Sequence, residues 1–187
     1  MSNPLKALVW YADFRSAVLL DRSLTVLGEI NLIALGYPDV RTVAAASDDN
    51  LWLYDEVNFR LLKITPEGEK RAESQSLNLL DYTPRQPTML REQDNRVWLL
   101  DAVAGLGVFD AFGQFERAQR LAQPTSDVQI LDDQVVYLSD SSIVAERWPL
   151  PQRAEIPLPA ALRPLPKWLG PRRLFVRRED GVEVYGW

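Results

Sequence analysis

The feature that most constrains this chain is a short apolar or aromatic run, closing on aspartate, that returns about every forty residues. Its members are Leu8-Val9-Trp10-Tyr11-Ala12-Asp13, Leu51-Trp52-Leu53-Tyr54-Asp55, Val97-Trp98-Leu99-Leu100-Asp101, Val135-Val136-Tyr137-Leu138-Ser139-Asp140 and Leu174-Phe175-Val176-Arg177-Arg178-Glu179-Asp180. The terminal aspartates stand 42, 46, 39 and 40 residues apart. A unit of that size has room for a few short strands and cannot bury its own apolar faces, so neighbouring units must cover one another. Four antiparallel strands per repeat of about forty residues is the pattern of a β-propeller blade.

Turn residues fall where hairpins need them. In the second unit, strands are expected at 42–47, 50–55, 59–64 and 70–76, with breaks at Asp48-Asp49, at 56–58 and at Thr65-Pro66-Glu67-Gly68. The third unit repeats the plan at 87–92, 96–101, 106–110 and 114–121, and the fourth at 127–131, 134–138, 142–147 and 153–158. The first unit holds only 7–11, 17–20 and 25–32, and the last only 167–170, 172–177 and 182–185. The expectation is one all-β, β-propeller-like domain of three full four-stranded blades plus two partial blades, with units at 7–32, 40–78, 87–122, 127–158 and 167–187. Two three-stranded ends would leave open edges and uncovered apolar residues, Leu8, Trp10, Val182 and Val184 among them. Proteins seldom leave such edges bare. The chain is therefore expected to be a fragment of a six- or seven-bladed ring, or to have its open side covered by a protein partner or another copy.

No window longer than about twelve residues keeps a helical apolar face free of Pro and Gly. Seven of the thirteen prolines lie between Trp148 and Arg172. Proline donates no ladder hydrogen bond, so that stretch reads as edge strand and extended connector.

The run Leu51-Trp52-Leu53-Tyr54-Asp55-Glu56-Val57-Asn58-Phe59-Arg60-Leu61-Leu62-Lys63-Ile64, followed by Gly68, resembles NHL-type β-propeller repeats. In those an apolar strand ending in Asp leads into an Asn-x-Arg turn, a second apolar strand and a Gly-containing hairpin. In the next unit Asp101, Phe109-Asp110 and Gly113 hold their places, but Ala104-Gly105-Leu106 replaces the Asn-x-Arg turn. The chain is also similar to bacterial envelope-associated propellers with degenerate blades. The resemblance implies a fold and names no activity.

The repeated aspartates have a structural use at strand ends, where a carboxylate accepts N–H bonds from the turn that follows. Trp10, Trp52, Trp98 and Tyr137 recur as packing between blades requires. The chain contains neither His nor Cys, which removes thiol nucleophiles, disulfides, histidine proton shuttles and zinc sites built on nitrogen or sulfur. Asp48, Asp49, Asn50, Asp94, Asn95, Asp132 and Asp133 sit at equivalent turns and offer oxygen ligands, but turn chemistry accounts for them. No catalytic residue, cofactor site or metal site is assigned. The net charge of −5 and the acidic turns oppose nucleic-acid binding.

The 15 basic and 23 acidic residues before residue 163 contrast with the stretch 163–178, which has six basic residues and no acidic one. Arg172, Arg173, Arg177 and Arg178 are the candidate interaction surface. No apolar run is long enough to span a bilayer. The sequence fits a periplasmic or envelope protein freed of its signal peptide, or a cytoplasmic one. The functional reading is a non-enzymatic protein-interaction or scaffold module, with a carboxylate and divalent-cation hydrolase or lactonase as the alternative.

Overall fold

A computed structural model describes residues 6–131, 134–147 and 152–187. The acidic turn Asp132-Asp133 and the prolines Pro149 and Pro151 lie outside the described residues. Among the described residues there are eighteen strands in five antiparallel sheets. Among these residues helix is limited to single 3-10 turns at Leu77–Leu79 and Ala160–Leu162, and none of the described helices is long and apolar enough to cross a membrane. Three sheets have four strands and two have three, the all-β, propeller-like arrangement that the repeat predicts. The chain divides into two units, Met1–Pro124 and Thr125–Trp187.

The first unit holds three sheets. The first comprises β1 (Lys6–Tyr11), β2 (Ser16–Asp21) and β3 (Val26–Asn31). The second comprises β4 (Val40–Ala45), β5 (Leu51–Asp55), β6 (Arg60–Ile64) and β7 (Lys70–Glu73). The third comprises β8 (Pro87–Gln93), β9 (Arg96–Asp101), β10 (Gly105–Asp110) and β11 (Phe115–Gln119). In every case the strands run in chain order across the sheet, as tight hairpin turns dictate.

Side chains alternate across a strand, so each sheet has two faces. Leu51, Leu53, Leu62 and Ile64 of the second sheet pack with Ala17 and Ile30 of the first. Trp52, Tyr54 and Leu61, on the opposite face, pack with Leu90, Val97, Leu99 and Phe109 of the third. A sheet covered on both sides needs apolar residues at every position, and all five residues of β5 are buried. In the first two sheets a forward face therefore carries the recurring aromatic, Trp10 or Trp52, toward the following sheet, which meets it with its rear face.

The second unit contains β12 (Gln129–Leu131), β13 (Gln134–Leu138), β14 (Ser142–Arg147) and β15 (Arg153–Pro157), then β16 (Lys167–Gly170), β17 (Arg173–Arg177) and β18 (Val182–Gly186). Val136 and Ile143 pack with Leu169, Leu174 and Val176 in its core, closed by Leu158 and Leu162. The proline-rich segment supplies the exposed edge strand β15 and the connector after it.

One expectation is corrected. Leu8 and Trp10 are not uncovered: they point forward and pack against the core shared with the second sheet, where the Trp10 indole N–H donates to the Arg41 carbonyl at 3.3 Å. Strand alternation instead exposes the other parity, Val9 at 37%, Tyr11 at 48% and Val26 at 62%. Val182 and Val184 are exposed, as expected.

Candidate interaction surface

The β16–β17 hairpin closes through Pro171 and Arg172, between the paired residues Gly170 and Arg173. Proline followed by a residue at positive φ, here Arg172 at 53°, is the type II turn pattern. This turn sets the register Trp168↔Phe175 and, through β18, Phe175↔Val184. The two rings stack with centroids 5.7 Å apart and planes 7° from parallel. Gly170 permits this, since a Cβ there would stand 2.7 Å from the Phe175 ring. Trp168, Val182 and Val184 are exposed, and on β17 Arg173, Phe175 and Arg177 alternate onto the same face. The result is an apolar, partly aromatic forward face with a guanidinium on either side of Phe175.

The four arginines predicted as one surface are thus divided. Arg173 and Arg177 flank Phe175 and are exposed. Arg172 occupies the turn. Arg178 leaves the group, its Nε donating to Glu183 Oε2 at 2.9 Å; that hydrogen bond, with help from Tyr185, raises the guanidinium above its ordinary range. The hydroxyl of Tyr185 donates to the same oxygen at 2.6 Å. The signal that finds the aromatic pair in the sequence is Gly170-Pro171-Arg172-Arg173, a two-residue turn that makes 168 and 175 cross-strand partners.

The strand-end aspartates are occupied by backbone. Asp101 accepts N–H bonds from Arg85, Gln86, Val103 and Ala104 at 2.7–2.9 Å. Burial opposes its charge, yet these four donors outweigh burial and hold the carboxyl below the usual range. Asp55 accepts from the Asn58 backbone and side chain and from Arg60 Nε, at 3.0, 2.8 and 3.1 Å. Asp21 and Asp110 bind their own turns through Ser23 and Thr25, and Phe112 and Gln114.

Sequence reasoning missed a buried polar cluster between the second and third sheets. Glu92 accepts from the Trp52 indole at 2.6 Å and from the Ser47 backbone at 2.9 Å; the Ser47 hydroxyl also donates to it. Lys63 Nζ lies 3.8 Å from Glu92 and 2.7 Å from Asp48, and 5.4 Å from the Trp52 ring centroid. Desolvation works against the charged form of Asp48, but hydrogen bonds from Lys63 and Asn50 prevail and lower it. This acidic turn is therefore anchored to the sheet. Among the described residues no three His, Cys, Asp or Glu side chains converge as a metal group would require.

A half-open cleft of about 1200 Å³ lies on the third sheet, lined among others by Asp81, Tyr82, Arg85, Asp101, Phe115 and Arg120. Asp101 is held there by amides. The Tyr82 hydroxyl donates to the Leu99 carbonyl at 2.6 Å, and burial pushes its phenol far up, leaving it a neutral donor at ordinary pH.

The chain matches no protein-family model and no curated protein. Among solved structures it is similar to PorZ, a bacterial surface component of the type-IX secretion system of Porphyromonas gingivalis, at 17% identity and a TM-score of 0.60 over 100% of this chain and 26% of that one. A streptogramin B lyase matches at 17% identity and a TM-score of 0.58, over 99% of this chain and 66% of the lyase. Virginiamycin B lyase from Staphylococcus aureus, in a catalytically inactive form with a histidine replaced by alanine and with quinupristin, matches at 13% and 0.60, over 98% and 63%. The chain thus spans less than two thirds of these proteins. At such identities the likeness is one of fold, and it places the chain in the β-propeller class.

Proposed function

We propose that this chain is a non-enzymatic protein-binding module and that its binding face is the forward face of β16–β18. The observation that carries this reading is the exposed Trp168, stacked on the half-buried Phe175 beside the exposed Val182 and Val184, whereas Trp52, the counterpart of Phe175, is wholly buried under the following sheet. Aromatic anchors with arginine at the margin are the usual composition of protein-binding hot spots. The NHL-like reading of the repeat gains support from Asp55, Asn58 and Arg60, whose side chains form the hydrogen-bonded turn that the motif requires. Envelope association belongs to the same proposal and rests on the sequence resemblance.

The hydrolase alternative needs a free carboxylate. Asp55 and Asp101 spend theirs on turns, and Asp48 spends its on Lys63. A lyase inactivated by loss of one histidine uses chemistry that these residues, with no His, do not supply. Selection of displayed random peptides on the immobilised chain tests the proposal. Enriched peptides should combine acidic with apolar residues and lose at least roughly tenfold in affinity on Phe175→Ser or Arg177→Glu, with the melting curve retained. Peptides that bind both variants as tightly as the parent overturn it.

A further inference from the structure

Each covered forward face in the first unit meets a rear face of a particular kind. Forward-facing Leu8, Trp10 and Ala17 of the first sheet meet Leu51, Leu53 and Leu62 of the second, and forward-facing Trp52 and Tyr54 meet Leu90, Val97 and Leu99 of the third. The complement of an aromatic forward face is thus a largely aliphatic rear face on another sheet, with one ring, Phe109, among the aliphatic residues of the third sheet. The rear face of β1–β3 has this composition and lies open. Register places Val9, Val18 and Glu29 in one cross-strand row, with Tyr11 and Val26 beside it. Val9, Tyr11 and Val26 are exposed, and Glu29 is exposed among them.

Charge points the same way. The forward face of β16–β18 carries Arg173 and Arg177, in a stretch with no acid between 163 and 178. The open rear face carries Glu29, whose Oε1 takes one hydrogen bond from Ser16 at 2.7 Å. Its unit is acidic overall, with 13 basic and 17 acidic residues in 1–124. We infer that the partner of the Trp168–Phe175 face is a second copy of this chain, which docks the rear face of its β1–β3 sheet there as the next blade would dock. This inference rests on the protein-binding reading above and names its partner. Two different faces meet, so the contact is head-to-tail and each dimer keeps one free face of each kind. Such contacts extend into closed rings or open filaments.

Sedimentation of the whole chain over a wide concentration range, with two variants, tests this. The parent should rise above the mass of one 21.3 kDa chain as concentration increases. Phe175→Asp should abolish forward docking and Val9→Asp rear docking, so each variant alone stays monomeric. Mixed, they retain one intact face apiece and should form a two-chain species and nothing larger. Val182→Asp and Tyr11→Arg repeat the experiment should either first variant fail to fold by circular dichroism. A parent that stays monomeric at all concentrations overturns the inference. So does a Val9→Asp chain that still dimerises alone, because the contact would then join two like faces. Peptide binding that depends on Phe175, found with a monomeric parent, removes the second copy and keeps the protein-binding reading; loss of both removes both.

Discussion

At the scale of single residues, the recurring aspartate works as an acceptor for main-chain donors. Asp101 is the fullest case: one carboxylate satisfies amides from Arg85 and Gln86 on one segment and Val103 and Ala104 on another. It therefore ties the entry to the third sheet to the turn after β9. Replacing it with Asn leaves a single acceptor oxygen and turns an NH2 group toward part-buried donors, for an expected cost of about 1–3 kcal/mol at neutral pH. The pH dependence has a definite sign. The carboxyl is held below its ordinary value of 3.8 in the folded chain, so its stabilisation is in full force above that value and is lost as pH falls through the lower folded one. Urea melts of the parent and Asp101→Asn should differ at pH 7 and converge in strong acid; a pH-independent gap would assign the effect to packing. The sequence showed this role because strand-end Asp is a local signal. It did not show Glu92, because the donors it satisfies come from Ser47 and Trp52, 45 and 40 residues away.

At the scale of elements, the second sheet depends on what covers it. Trp52 is fully buried, donates to Glu92 at 2.6 Å and lies beneath Lys63, so one side chain supplies core volume, a hydrogen bond and a cation–π contact. Trp52→Ala should cost about 3–5 kcal/mol. Trp52→Phe keeps most of the ring and leaves Glu92 short of one donor, so it should cost about 1–3 kcal/mol. Chemical denaturation of both variants checks the order; a cost below about 1 kcal/mol for the alanine variant would contradict the burial. Strand limits were largely legible, since Asp48-Asp49, Asp94-Asn95 and Thr65-Pro66-Glu67-Gly68 mark hairpins locally. The residues at positive φ include Asp49, Asp94, Asn95 and Gly68, types suited to that region. Less legible was the parity of a strand with apolar residues on both sides. In β1 the run Leu8-Val9-Trp10-Tyr11 does not say which pair faces a neighbour, and the structure buries toward the core the pair that sequence reasoning left uncovered.

At the scale of the whole molecule, stability comes from sheets covering one another and from carboxylates bound to amides and cations of the same chain. Addition of a chelator should leave the melting temperature unchanged, and calcium titration by calorimetry should show no stoichiometric site tighter than roughly 10 μM; such a site would revive the hydrolase reading. The sequence by itself determined the repeat, the hairpins, the count of five sheets and the shortage of strands in the first and last. These follow from local turn chemistry and from alternation, which act over a few residues. Only the tertiary structure decided that Asp48 closes on Lys63 and that Glu92 joins two sheets. It also decided that Arg178 withdraws to Glu183, leaving Arg173 and Arg177 beside Phe175. Those outcomes depend on which face of each strand meets another sheet and on side chains brought together from distant repeats, and a spacing rule that holds equally for every unit does not distinguish among them.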